Sequence, residues 1–225
     1  MKQTMDILLW TALGFLSGSI PFAVILGKLA GKGDIRQVSD GNPGATNVLR
    51  AAGWKWGVPA FLLDYFKGVL PVGLAWFIAG LNGWGLVLAA LAPVAGHIWS
   101  PWLGWRGGKA VAATFGIWSG LTVGAGPTIL GLLLGVAFAT LSASGWAVIL
   151  AFMAFGAFVW RNYAGVHPEF TWVWLGNYAL LVWAHRKELK SPPGLRPGLL
   201  ALSRKLLYRA DVPANNQDEQ SHAGG

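Results

Sequence analysis

"AVAATFGIWSGLTVGAGPTILGLLLGVAFATLSASGWAVILAFMAFGAFVW", residues 110–160, decides the architecture. A helix that crosses a hydrocarbon core of about 30 Å needs about 20 apolar residues. This run is too long for two such helices. It divides at two turn signals, GAGP at 124–127 and SASG at 142–145, and so predicts three consecutive helices. Working outward, residues 7–27, 56–80 and 84–103 precede it as apolar segments of spanning length, and a shorter one, 171–184, follows. Within the first segment Ser17-Gly18-Ser19 looks like a leader cleavage site, but the apolar run continues through Leu26, so a span is expected. The expected fold is an all-α polytopic membrane protein with seven transmembrane helices.

Composition agrees. Only 12% of the residues are charged, against about 25% in soluble domains. The 14 tryptophans suit membrane interfaces and the 32 glycines suit close helix packing. The chain has no cysteine, which excludes disulfides, thiolate zinc sites and a cysteine acyl-enzyme. The net charge of +8 comes with no nucleic-acid-binding motif and reports topology instead. With seven spans, Lys28, Arg50, Lys109, Arg186 and the basic C-terminal residues share one side, while Lys2 and Arg161 lie on the other. The first side is expected to be cytoplasmic, with the N-terminus outside and the C-terminus inside. Residues 1–190 form one integral membrane domain. Residues 191–225 form a basic cytoplasmic tail, expected to be disordered over 214–225.

The candidate chemistry lies in the loops. "SDGNPGATNVLR" (39–50) holds glycines that can turn backbone N–H groups toward an anion, neutral hydrogen-bonding groups on Asn42, Thr46 and Asn47, and the forked donors of Arg50. "GWRGGKAVAAT" (104–114) places Gly107-Gly108-Lys109 before a predicted helix, whose N-terminus favours phosphate. It is not a Walker A loop, because Ala110 stands where Ser or Thr belongs. Asp64 and Lys67 share one face of the second span and are expected to pair or to face a polar cleft. His97 sits near the cytoplasmic end of the third span. Groups that favour phosphate on one side of a membrane suggest an enzyme joining a soluble phosphorylated substrate to a lipid-soluble one. A transporter would show polar groups reaching both sides and repeat symmetry, and neither is visible.

The segments "GSIPFAVILGK" (18–28), "DIR" (34–36), "DGNPGATNVLRAAG" (40–53), "DYFKG" (64–68), "GHIWSPWLGWRGGKAVAAT" (96–114) and "AHR" (184–186) closely resemble the PlsY family of bacterial acyl-phosphate:glycerol-3-phosphate acyltransferases. The resemblance implies a seven-helix enzyme of the bacterial plasma membrane that makes 1-acyl-glycerol 3-phosphate at the cytoplasmic face. Its substrates are glycerol 3-phosphate and acyl phosphate, without acyl-CoA or acyl carrier protein. No cofactor or metal is expected, because acyl phosphate is already an activated mixed anhydride. Asn42, Gly44, Thr46, Asn47 and Arg50 match the family's first motif. His97, Gly107, Gly108 and Lys109 match the second, its glycerol-3-phosphate loop, and His185 matches the histidine of the third. Ser142 is similar to a residue of the family's Ser-rich turn. Arg50, Asn47 and His185 are the expected catalytic residues, with either His185 or a substrate phosphate oxygen as base. Two departures stand out: Asp40 replaces a serine and Glu188 an asparagine. One expectation is that Asp40 pairs with a nearby Lys or Arg. The alternatives are a divergent homologue with another acyl or phosphate substrate, or a non-catalytic lipid-binding or transport protein.

Overall fold

A computed structural model describes residues 2–198, and these form nine α-helices. α1 (Lys2–Ser19) and α2 (Phe22–Leu29) fill the first predicted span but part at Ile20 and Pro21. Pro21 has no N–H to continue the ladder, so carbonyls at the break need other donors. Lys67, on α4 (Trp54–Gly73), supplies one: its Nζ donates to the Ile20 carbonyl at 3.0 Å. The same ammonium meets Asp64 Oδ1 at 2.7 Å, and both side chains are buried. Each charge alone would cost about 2.5–3.5 kcal/mol at mid-membrane. Paired with each other and with the broken ladder, they staple the kink instead.

α3 (Ala45–Ala52) was not expected; the sequence reads 28–55 as loop. Its buried face carries Val48, which packs with Ala23, Ile35 and Ala60, while Thr46 and Arg50 remain exposed. Gly53, with φ +76°, ends it and lets α4 start at once. α4 runs on into one π-helical turn, Leu74–Ile78. α5 (Gly83–Ile98) is shorter than the predicted third span, because residues 101–103 form a separate 3₁₀ turn. The run 110–160 does fold as three helices: α6 (Val111–Thr122), α7 (Ala125–Thr140) and α8 (Ser144–Tyr163). α9 (Pro168–His185) completes the set.

The main core centres on Trp118, Phe152, Phe155 and Phe170. Trp118 and Phe155 meet edge to face at 4.9 Å, a favoured aromatic geometry. Three polar side chains inside this core satisfy one another. Trp118 Nε1 donates to Asn177 Oδ1 at 3.2 Å, and Asn177 Nδ2 donates to Thr114 Oγ1 at 3.1 Å. Glycine sets the closest helix approaches: a Cβ on Gly116 would collide with the Tyr65 carbonyl, pressing α6 onto α4.

Large apolar side chains cover the outside, among them Leu8, Leu70, Phe77 and Trp84. Such a surface suits lipid and would aggregate in water. Four segments are long and apolar enough to cross a membrane: Lys2–Leu29, Trp54–Ile78, Gly83–Leu103 and Ser144–Tyr163. α6 and α7 are apolar but shorter. Beyond α9 the chain returns to the α7–α8 turn. Arg196 N–H donates to the Thr140 carbonyl and Trp146 Nε1 to the Ser191 carbonyl. The first residues assigned to the tail therefore lie docked, while 214–225 fall outside the described residues.

Candidate active site

α3, the segment before α6, and the end of α9 converge on one cavity of about 350 Å³. Of the thirteen residues that match the family's motifs or depart from them, ten line it: Asp40, Asn42, Gly44, Thr46, Asn47, Arg50, His97, Lys109, His185 and Glu188. The other three do not. Ser142 turns away and donates its hydroxyl to the Gly194 carbonyl. Ser144, two residues further, lines the cavity and donates to Glu188 Oε2 at 3.2 Å. It is the first residue of α8, and that helix start fixes which serine points inward.

Gly107 and Gly108 also lie off the cavity, packed on the end of α5. Their N–H groups are already used, Gly107 donating to the Ile98 carbonyl at 2.9 Å and Gly108 to the His97 carbonyl at 3.0 Å. A Cβ on Gly107 would strike the His97 carbonyl, and one on Gly108 the His97 ring. The glycines let residues 107–108 lie flat on the end of α5. That contact sets the position of Lys109. Ala110 then takes a left-handed φ of +59°, and α6 begins.

Lys109 is the electrostatic hub. Its ammonium meets Asp40 Oδ2 at 2.5 Å and also pairs with Glu188. The two acids that depart from the family pattern therefore hold the same lysine, and Asp40 has the cationic partner expected of it. Burial opposes ionisation of Asp40. Hydrogen bonds from Lys109, the Asn47 amide and the Asn42 N–H outweigh it and hold the carboxyl at about 2. Burial likewise opposes charge on Lys109, but its two carboxylate partners raise its pKa above the ordinary lysine value. For Asp40 the sign follows from a lowered pKa. Its contribution to stability is complete above the ordinary 3.8 and fades only as pH falls through about 2. The clamp is constant at physiological pH.

Asn47 sits at the centre of the loop's hydrogen bonds. It is 1% exposed, and its Nδ2 lies 2.9 Å from each of three acceptors: Val38 O, Asp40 Oδ1 and Asn42 O. Its Oδ1 accepts from Arg50 Nη1 at 3.1 Å. Arg50 also donates to Ser39 Oγ, bracing a residue with φ +54°. Arg50 makes no ion pair among the described residues and is exposed, so its remaining donors are open to an anion. The first turns of α3 (Ala45, Thr46) and α6 (Val111, Ala112) border the same space, and helix starts favour negative charge.

His185 is buried, with Nδ1 2.9 Å from the Leu181 carbonyl. A carbonyl only accepts, so Nδ1 carries the hydrogen and Nε2 keeps a lone pair. His97 is buried too and forms a wall behind Gly108. The opposite wall is apolar, built from Phe61, Val111, Phe138 and Val148. Asp64 closes the base of the cavity with its charge already matched by Lys67.

A sequence model of the family described as glycerol-3-phosphate acyltransferase matches residues 8–191. Glycerol-3-phosphate acyltransferase 1 of Thermotoga maritima is 39% identical over 191 residues, covering 78% of this chain and 92% of its own. The glycerol-3-phosphate acyltransferase of Synechococcus sp. (strain CC9902) is 40% identical over 183 residues, covering 81% and 90%. The crystal structure of PlsY (YgiH), an integral membrane glycerol 3-phosphate acyltransferase, in its glycerol 3-phosphate form, matches with a TM-score of 0.74 at 32% identity. That match covers 82% of this chain and 90% of that one. The lysophosphatidic acid form of PlsY matches with a TM-score of 0.71. Fold and site together define an integral membrane acyltransferase. The chain belongs to the glycerol-3-phosphate acyltransferase family, of which PlsY is a member.

The clamp makes a stability prediction. Lys109→Met leaves Asp40 and Glu188 uncompensated and lowers unfolding free energy by on the order of 1 kcal/mol, modest because the pair is partly solvated. Adding Asp40→Ser restores part of the loss. Thermal unfolding in detergent measures both. Equal stability of the single and double variants would mean that the two acids do not share the lysine.

Proposed function

We propose that the protein transfers a fatty acyl group from acyl phosphate to glycerol 3-phosphate, giving 1-acyl-glycerol 3-phosphate and inorganic phosphate. One observation carries this reading: a single cavity has an anion-binding wall, an apolar wall, and a histidine nitrogen free to accept a proton. Glycerol 3-phosphate binds with its phosphate against Arg50 and the first turn of α3. Lys109 adds positive field, tempered by its two carboxylates. The acyl chain lies along Phe61, Phe138 and Val148, where the cavity wall passes into the lipid-facing surface.

The free hydroxyl at C1 attacks the acyl carbonyl. An ester C–O bond forms, the carbonyl-to-phosphate C–O bond breaks, and the hydroxyl proton passes to His185 Nε2 and then to the departing phosphate. N–H groups at the start of α6 stabilise the developing oxyanion. Holding both substrates in register supplies much of the acceleration, since the donor is already activated. Asn47 acts here as a positioning residue, fixing Asp40 and Arg50.

The topology proposal follows the same geometry. Seven helices, with α1 and α2 counted as one and the loop helix α3 left out, cross a bacterial plasma membrane. The cavity draws on residues 40–50, 109–112 and 185–188, so these lie at one end of the bundle. Basic residues concentrate there, which supports a cytoplasmic active site, an external N-terminus and an internal C-terminus. α6 spans only about 18 Å. The polar segment before it reaches into the protein and lines a cavity, where irregular backbone is tolerated at membrane depth. Residues 1–190 are the membrane domain, with the basic tail beyond. In this cysteine-free chain, Ala52→Cys should react with an impermeant reagent only from the cytoplasmic side. Labelling from outside alone would invert the bundle.

The activity test uses purified protein in lipid with glycerol 3-phosphate and either acyl phosphate or acyl-CoA. Product should form from acyl phosphate only. Arg50→Lys keeps the charge but loses the planar fork, and kcat/KM should fall about 10–100-fold, the equivalent of one charge-assisted hydrogen bond. Asp40→Ser should remain active, because Glu188 still holds Lys109. Product from acyl-CoA alone, or an unimpaired Arg50→Lys enzyme, would overturn the assignment.

A further inference from the structure

A second pocket of about 630 Å³ lies on the other side of the Lys109 clamp, between the 105–109 segment and the end of α9. It is rich in cations, and not all of them are matched. Arg36 is tied to Asp34 at 2.6 Å, and Lys109 to Asp40 and Glu188. That accounts for every carboxylate at its edge. Arg106, Arg186 and Lys187 remain, exposed and without an ion pair among the described residues. Arg186 is held in place: its guanidinium lies over the Trp183 ring at 4.4 Å, and its Nη1 donates to the Trp183 carbonyl at 2.7 Å. The rest of its fork is free for an anion.

Trp183 and Trp99, with ring centroids 6.3 Å apart, border this pocket and also border an apolar groove of about 510 Å³. The groove runs between α5 and α9 past Leu91, Ala95, Ala179 and Leu180. It carries almost no polar surface of its own. A basic cleft thus joins an apolar channel through a pair of tryptophans, the residue favoured at the membrane interface. A free phosphate would use only the cleft, and a neutral lipid only the groove. An anionic phospholipid uses both, and basic pockets between membrane helices suit such headgroups.

We propose that the α5–α9 seam binds an anionic phospholipid of the bilayer, its phosphate among Arg106, Arg186 and Lys187 and one acyl chain along the groove to Ala179. The site is separate from the acyl-transfer cavity and does not depend on the activity proposed for it. The clamp segment is the wall between them, so a bound lipid braces residues 105–109 from outside.

The test is native mass spectrometry of protein taken from nanodiscs containing phosphatidylcholine and phosphatidylglycerol. Wild type should retain phosphatidylglycerol in preference to phosphatidylcholine. Arg106→Gln with Arg186→Gln should lower that retention about tenfold or more, the scale of one charge-assisted hydrogen bond lost. Ala179→Trp, which fills the groove at an exposed position, should lower it as well. All three positions are exposed, and size-exclusion profiles check that the variants fold. Equal retention of the two lipids, or unchanged retention in the double variant, would overturn the proposal. Loss in the double variant with none in Ala179→Trp would overturn the groove, leaving a pocket for the headgroup alone.

Discussion

The ammonium of Lys109, held between Asp40 and Glu188, is the contact on which the site depends. It joins three stretches far apart in the chain: the first loop, the segment before α6, and the residue run after α9. Opposite charges a few ångströms apart in a partly dry setting attract strongly enough to fix a loop. Removing the lysine would leave two uncompensated carboxylates beside the cavity. Asp40 would then repel the phosphate that we propose binds there. With the lysine in place, the acid becomes an anchor for Asn47 and for the turn at residues 39–42.

Around that anchor, the protein separates charges it needs for structure from charges it can offer. Asp64 and Lys67 neutralise each other and hold the α1–α2 break. Asp34 and Arg36 do the same at the loop surface. Arg50 is the cation of the cavity left without a carboxylate among the described residues. Two helix starts point the same way. The cavity therefore offers an unmatched positive charge, the feature on which the proposed phosphate binding rests, although the surrounding segment is nearly balanced.

Much of this was legible in the sequence. The 110–160 run had to be three helices by length alone, and ten of thirteen named site residues line one cavity. What was not legible depended on contacts between distant residues. α3 is the exception: Ala45, Val48, Leu49 and Ala52 follow the i, i+3, i+4, i+7 spacing of an amphipathic helix, a signal present in the sequence and passed over because the segment is only eight residues long and sits in a polar loop. The glycines at 107 and 108 read in sequence as part of a phosphate-binding loop; their close packing against His97 shows only once α5 is in place. Ser142 and Ser144 are equivalent until the start of α8 fixes which faces inward. The pairing of Asp40 with Lys109 spans 69 positions. Composition could suggest a partner but not which one.

The most direct measurement is a structure with glycerol 3-phosphate bound. The phosphate should lie against the Arg50 guanidinium and the first turn of α3, with the C1 hydroxyl toward His185 Nε2 and Lys109 still bridging Asp40 and Glu188. A phosphate seated instead among Arg106, Arg186 and Lys187, with the cavity beside Arg50 empty, would contradict the account.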